Sequence, residues 1–163
     1  MNTEELNQKL AEQRAEIGTQ FRARIAAILD WLEADLGDEV AESIARMVAR
    51  DMHAEWSQLA EKEGSNTIDD LVRLLWEPMQ EMGVAYTVEK TDAGIQMCVT
   101  QCPFANFARE TDNAKWAYRL YCASDPHIVA GFNPQIGFRR TQTLVEGHDC
   151  CDHFYYMKQD EAA

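Results

Sequence analysis

Five cysteines, Cys98, Cys102, Cys122, Cys150 and Cys151, all lie beyond residue 97, and the acid Asp125 and the imidazole His153 fall among them. Cys122 and Asp125 stand three apart in a stretch with helical character, and Cys151 and His153 stand two apart in a stretch with strand character. Positions i and i+3 share a helix face and positions i and i+2 share a sheet face, so each pair can point into one cavity. Convergent thiols suit two uses. One is a soft-ligand site for zinc or iron built from Cys102, Cys122 and Cys151. The other is a reactive thiol with an acid or imidazole beside it, the catalytic set then being Cys122, Asp125, Cys151 and His153. The plain alternative is that each cysteine is a small apolar core residue, which fits Cys98 and Cys150 best. None of the zinc-ribbon spacings is present, since Cys98 and Cys102 form a C-x3-C with no matching second pair. His53 reads as a surface residue, His127 as a helix-end residue and His148 as part of a turn. Arg139 and Arg140, adjacent on one strand, must face opposite sides, so one of them can look into a pocket.

The chain that must position these groups has 163 residues, the length of one domain. It carries 28 acidic and 15 basic side chains, a formal charge of −13 that repels phosphate backbones and anionic lipid headgroups. Nucleic acid and membrane surfaces are therefore poor partners. The polar, acidic N-terminus has neither the basic nor the apolar region of a secretory signal. The expected compartment is the cytoplasm, where five thiols stay reduced. No glycine-rich phosphate loop, G-x-S-x-G elbow or H-E-x-x-H helix occurs.

Apolar residues from Leu6 to Leu32 recur every three, four or seven positions, and a second stripe runs from Val40 to Leu59. With Gly37-Asp38 between them, these predict a helical hairpin. Its stripes are more extensive than a small sheet can cover, which points to a homodimer through the N-terminal helices. Thr67 is placed as the cap of a third helix that contains Pro78. Two β-rich runs at 84–89 and 95–100 predict a hairpin, which Cys102-Pro103 ends. A helix is expected over about 112–130, with strands at 136–145 and 151–157. The fold class is α+β: a helical hairpin and third helix, then a ββαββ module with a four-stranded antiparallel sheet. The division expected is a helical extension over 1–63 and an α+β domain over 64–163, packed as one compact unit.

The motifs Cys102-Pro103, Tyr121-Cys122-Ala123-Ser124-Asp125, Gly131-Phe132-Asn133-Pro134, Phe138-Arg139-Arg140-Thr141-Gln142-Thr143-Leu144 and Gly147 to Phe154 occur in that order. From about Gly64 onward the chain resembles the L-2-amino-thiazoline-4-carboxylic acid hydrolase family. Between Gly147 and His153 an extra cysteine and two histidines accompany the single key cysteine expected there. The resemblance implies hydrolytic opening of a cyclic C=N carboxylate to a carbamoyl-cysteine-like product. In that reaction Asp125 is the expected base or metal-orienting acid, and Cys102 and Cys151 complete the cluster as nucleophile and neighbour or as ligands. Arg140 is expected to hold the substrate carboxylate, and Asn133 and Thr143 to donate hydrogen bonds. The chain is also distantly similar to the 4-vinyl reductase domain, a small-ligand or metal-binding module, which implies a non-catalytic sensor as the alternative.

Overall fold

Helix α1 (Thr3–Leu36) begins at a capping box in which the Asn2 carboxamide accepts from Glu5 N–H at 2.8 Å and the Glu5 carboxylate accepts from Asn2 N–H at 3.0 Å. The structure, a computed structural model, describes residues 2–159. Gly37 turns the chain into α2 (Glu39–Glu63), which stops at Gly64 in the left-handed conformation with φ 70°. Thr67 caps α3 (Ile68–Glu81), as its spacing to Asp70 predicts, and Pro78 sits inside that helix.

The strands follow: β1 (Ala85–Thr91) and β2 (Gly94–Gln101) form the expected hairpin, and β3 (Ile136–Arg139) and β4 (Cys151–Met157) complete the sheet. All pairings are antiparallel and the order is β1-β2-β4-β3. The fold is thus α+β, with the four-stranded sheet after an N-terminal set of helices. Register places Met97 opposite His153 and Val99 opposite Cys151. Burial alternates along β4, so Cys151, His153 and Tyr155 face the core together.

Three local expectations are corrected. Pro103 does more than end β2: it opens a short helix, α4 (Pro103–Thr111), because its missing N–H costs nothing at a first helical position. The single helix expected over 112–130 is three pieces. Asp112 takes the left-handed conformation at φ 54°, α5 (Ala114–Ala117) follows, and a π-helical turn (Tyr118–Cys122) leads to α6 (Asp125–Phe132), which carries Pro126 in its first turn. Strand β3 stops at Arg139 rather than Val145. The Asp152 carboxylate accepts the N–H groups of Thr141 and Gln142, both at 2.8 Å, and so replaces the ladder there.

Two cores meet at one seam. Trp56, Leu71, Trp76, Phe132, Ile136 and Tyr155 anchor the core between the sheet and helices α2, α3 and α6. Ala26, Leu29, Phe107 and Trp116 anchor a second between α1, α2, α4 and α5. Cys102 and Leu144 pack against both. Helices α2 and α6 are close enough that a Cβ on Gly131 would lie 2.3 Å from the His53 carbonyl oxygen. On α1 the outer apolar residues Ile17, Phe21, Ile28, Trp31 and Leu36 are exposed, which is the stripe behind the expected dimer.

Candidate functional site

The seam between the two cores carries charge. Asp125 opens α6, Arg140 follows the last residue of β3, and His153 lies at the centre of β4. The Asp125 Oδ2 accepts from Arg140 Nη1 and stands 3.2 Å from His153 Nε2. Arg140 Nη1 also donates to the Cys122 carbonyl at 3.1 Å, and its Nη2 reaches the Tyr118 hydroxyl at 3.5 Å. The side chains of Arg140, Asp125 and His153 are 8, 15 and 5% exposed, so the group is largely removed from water. A carboxylate only accepts hydrogen bonds, so in this contact Nε2 is the donor. His153 Nδ1 is buried without a hydrogen-bond partner. The imidazole is held edge-on to Trp76, ring centres 5.0 Å apart, and tilted on Phe138 at 5.8 Å. Trp76 in turn donates its indole N–H to Tyr155 at 3.2 Å.

The backbone break before Asp125 sets this arrangement. In the π-helical turn the Ala123 N–H reaches back to the Tyr118 carbonyl at 2.8 Å. Such single π turns are frequent at functional sites. Cys122 and Asp125 therefore do not lie on one continuous helix, yet they are still brought to the same side.

The thiols Cys102, Cys122 and Cys151 lie within electrostatic reach of one another and of Asp125. Burial, and then the Asp125 charge, push the Cys122 thiol far above its usual range, with Arg140 opposing. Cys151 is pushed up to about 11, chiefly by burial, although its sulfur accepts the Leu144 N–H at 3.2 Å. Burial also raises Cys102, against the N–H groups of Ala105 and Phe104 at the start of α4. All three are protonated at neutral pH. Among the described residues no group of three or more His, Cys, Asp or Glu side chains is placed to hold a metal ion. Cys98 and Cys150 belong elsewhere. Cys98 is pushed up to about 11, first of all by its hydrogen bond with Cys150, and Gln142 donates to the Cys150 sulfur at 3.4 Å.

Other expected residues fasten the chain. The Asn133 carboxamide donates to the Asn66 carbonyl and accepts from the Gln135 N–H, both at 2.9 Å. Thr143 is 1% exposed, and its hydroxyl donates to Glu146 at 2.7 Å. Arg139, the last residue of β3, lies over Phe154, while Arg140, just beyond the strand, turns inward. His53 and His148 are exposed. Trp76, Tyr118 and Phe138 were not among the expected site residues, and no local pattern marks them; only tertiary packing brings them to His153 and Arg140.

The sequence profile of the L-2-amino-thiazoline-4-carboxylic acid hydrolases matches residues 15–155. The chain belongs to this family. The hydrolase-family match includes most of α1 and all of α2, so it begins well before Gly64, from which the resemblance is expected to run. No curated protein matches the sequence. The fold is similar to two solved structures. One is the phenol-responsive sensory domain of the transcription activator PoxR with phenol, with TM-score 0.54, 14% identity, and 83% of this chain and 74% of that one covered. The other is trafficking protein particle complex subunit 3 from Naegleria fowleri covalently bound to palmitic acid, with TM-score 0.54, 10% identity and coverage of 88% and 97%. At these identities the likeness to both is one of fold. Among the described residues no helix is long and apolar enough to cross a membrane.

Proposed function

We propose that the protein hydrolyses a small cyclic amidine carboxylate of the 2-aminothiazoline-4-carboxylate type, opening the ring to a carbamoyl-cysteine-like product. The observation that carries this reading is the buried chain Arg140–Asp125–His153, which leaves His153 Nδ1 buried without a hydrogen-bond partner. An imidazole oriented by a carboxylate is the arrangement that removes a proton from water. The water oxygen bonds to the amidine carbon as His153 takes one water proton and passes it to the ring nitrogen; the ring carbon–sulfur bond then breaks as the carbonyl forms, and the departing sulfur takes the second proton. Asp125 holds the imidazole and stabilises its charged form. Arg140, gripped by Asp125 and the Cys122 carbonyl, keeps that carboxylate in place. Cys122 and Cys151 rest as neutral thiols, so either acts as a proton donor, or as a nucleophile only after His153 takes its proton.

Incubation of the protein with 2-aminothiazoline-4-carboxylate tests this, with free thiol as the readout. Wild type should release thiol, and His153→Gln should slow release by roughly 100-fold or more, the usual contribution of a positioned base. Absence of thiol release by wild type would sink the reading. The non-catalytic reading, a small-ligand sensor, is favoured by the likeness to a phenol-responsive sensory domain. It expects ligand binding without turnover in the same assay.

A further inference from the structure

A cavity of about 510 Å³ opens beside the buried chain, between α2, the π-helical turn and the 3-10 turn at Leu144–Glu146. Its size falls within the range of small-molecule sites. Its walls include the supports of the buried group. Tyr118 lines it and reaches Arg140 through its hydroxyl. Ala123 lines it directly after Cys122, and Val145 directly after Leu144, whose N–H holds the Cys151 sulfur.

The charges that line the cavity are unevenly matched. Lys115 is paired with Glu33 and lies 4.7 Å from the centre of the Trp116 ring. Arg119 is half-buried, and its side chain makes no hydrogen bond, ion pair or ring contact among the described residues. Glu146 receives the Thr143 hydroxyl but pairs with no cation among them. A guanidinium and a carboxylate thus line one cavity without meeting, and the remaining walls are mostly alanine, valine and the tyrosine ring.

We propose that this cavity binds a small ring carrying both a carboxylate and an amidinium, with Arg119 gripping the carboxylate and Glu146 facing the amidinium. This takes the identity of the ligand from the hydrolase reading; neither His153 nor Asp125 lines the cavity, so it is a binding site beside the buried chain rather than part of it. The planar fork of Arg119 matches a carboxylate with two parallel hydrogen bonds. Arg140 is the poorer anchor, because Asp125 already neutralises it and the Cys122 carbonyl takes a further donor bond. Ligand in this cavity lies against Tyr118, one side chain away from Arg140.

Titration calorimetry with the full chain tests the assignment, using 2-aminothiazoline-4-carboxylate, its methyl ester, and 2-thiazoline-4-carboxylate, which lacks the amino group. Arg119→Gln should weaken both carboxylates tenfold or more and leave the ester within about twofold, since a charged hydrogen-bonded pair is lost only with the former. Arg119→Lys should recover part of the affinity. Glu146→Gln should weaken the aminothiazoline but not the compound without the amino group. Circular dichroism melts establish that each variant is folded. Equal affinities of wild type and both glutamine variants would overturn the proposal, as would a wild type that binds none of the three probes at millimolar concentration. Binding lost as expected, with no turnover by wild type, would leave the cavity standing and remove the hydrolase reading. Normal turnover with unaltered binding in the variants would do the reverse.

Discussion

Arg140 and His153 share one carboxylate oxygen: Asp125 Oδ2 accepts from the guanidinium of Arg140 and stands 3.2 Å from His153 Nε2. One atom thereby joins the start of α6, the end of β3 and the middle of β4. Removing it leaves a buried cation with only a carbonyl and a distant phenol. Asp125→Ala should therefore lower the unfolding free energy by about 3 to 5 kcal/mol, the cost of orphaning one member of a buried pair. Denaturant unfolding measures this. A loss below about 1 kcal/mol would mean that water reaches Arg140 freely. Replacing both residues together, as Asp125→Leu with Arg140→Met, should recover much of the stability while activity stays absent.

The five thiols should react in two groups. Cys122 is pushed up strongly by burial and by Asp125, and Cys151 is pushed up to about 11, also by burial first. Thiolate is the reactive form, so both should resist iodoacetamide at pH 7.5 in the folded protein and react after denaturation. Cys150, half-buried and hydrogen-bonded to Cys98, should be modified first. Peptide mapping by mass spectrometry reads the order; labelling of Cys122 ahead of Cys150 would contradict the burial described.

Acid should loosen the α2–α3 connection before the rest. Hydrogen bonds from Ser65 and Thr67 hold the Asp70 carboxyl down to about 2. Its folded value lies below the unfolded one, so its contribution is present above about pH 4 and is lost as pH falls toward 2. Thermal melts should show a smaller drop between pH 5 and 2.5 for Asp70→Asn than for wild type. Parallel curves for the two would show that Asp70 does not supply the dependence.

Gly131 permits the contact of α6 with α2, and the Ser57 hydroxyl bonds its carbonyl at 3.0 Å. A methyl group there would meet the His53 carbonyl oxygen at 2.3 Å, with His53 backbone carbon atoms also within 3.0 Å. Backbone on both sides cannot yield cheaply. Gly131→Ala should cost about 1 to 3 kcal/mol and lower Tm, as overpacking does. Because α6 carries Asp125, the same substitution should also reduce any activity of the site.

What the residues determined alone is whatever depends on neighbours within a turn or a pleat. The stripes of α1 and α2, the Thr67 cap, the hairpin of β1 and β2, and the shared face of Cys151 and His153 all follow from local spacing. Such patterns need no knowledge of what lies across the core. They failed where a distant group took over a backbone bond: Asp152 captures the N–H groups of Thr141 and Gln142 and ends β3 early. They also failed at the π-helical turn before Asp125, which packs against α2. The site itself is of this second kind. Asp125 meets Arg140 across 15 positions and His153 across 28, and Trp76 reaches Tyr155 across 79. Only pairing of β2 with β4 and docking of α3 and α6 close those distances, because a carboxylate, a guanidinium and an imidazole can share a dry seam only when several elements exclude water at once.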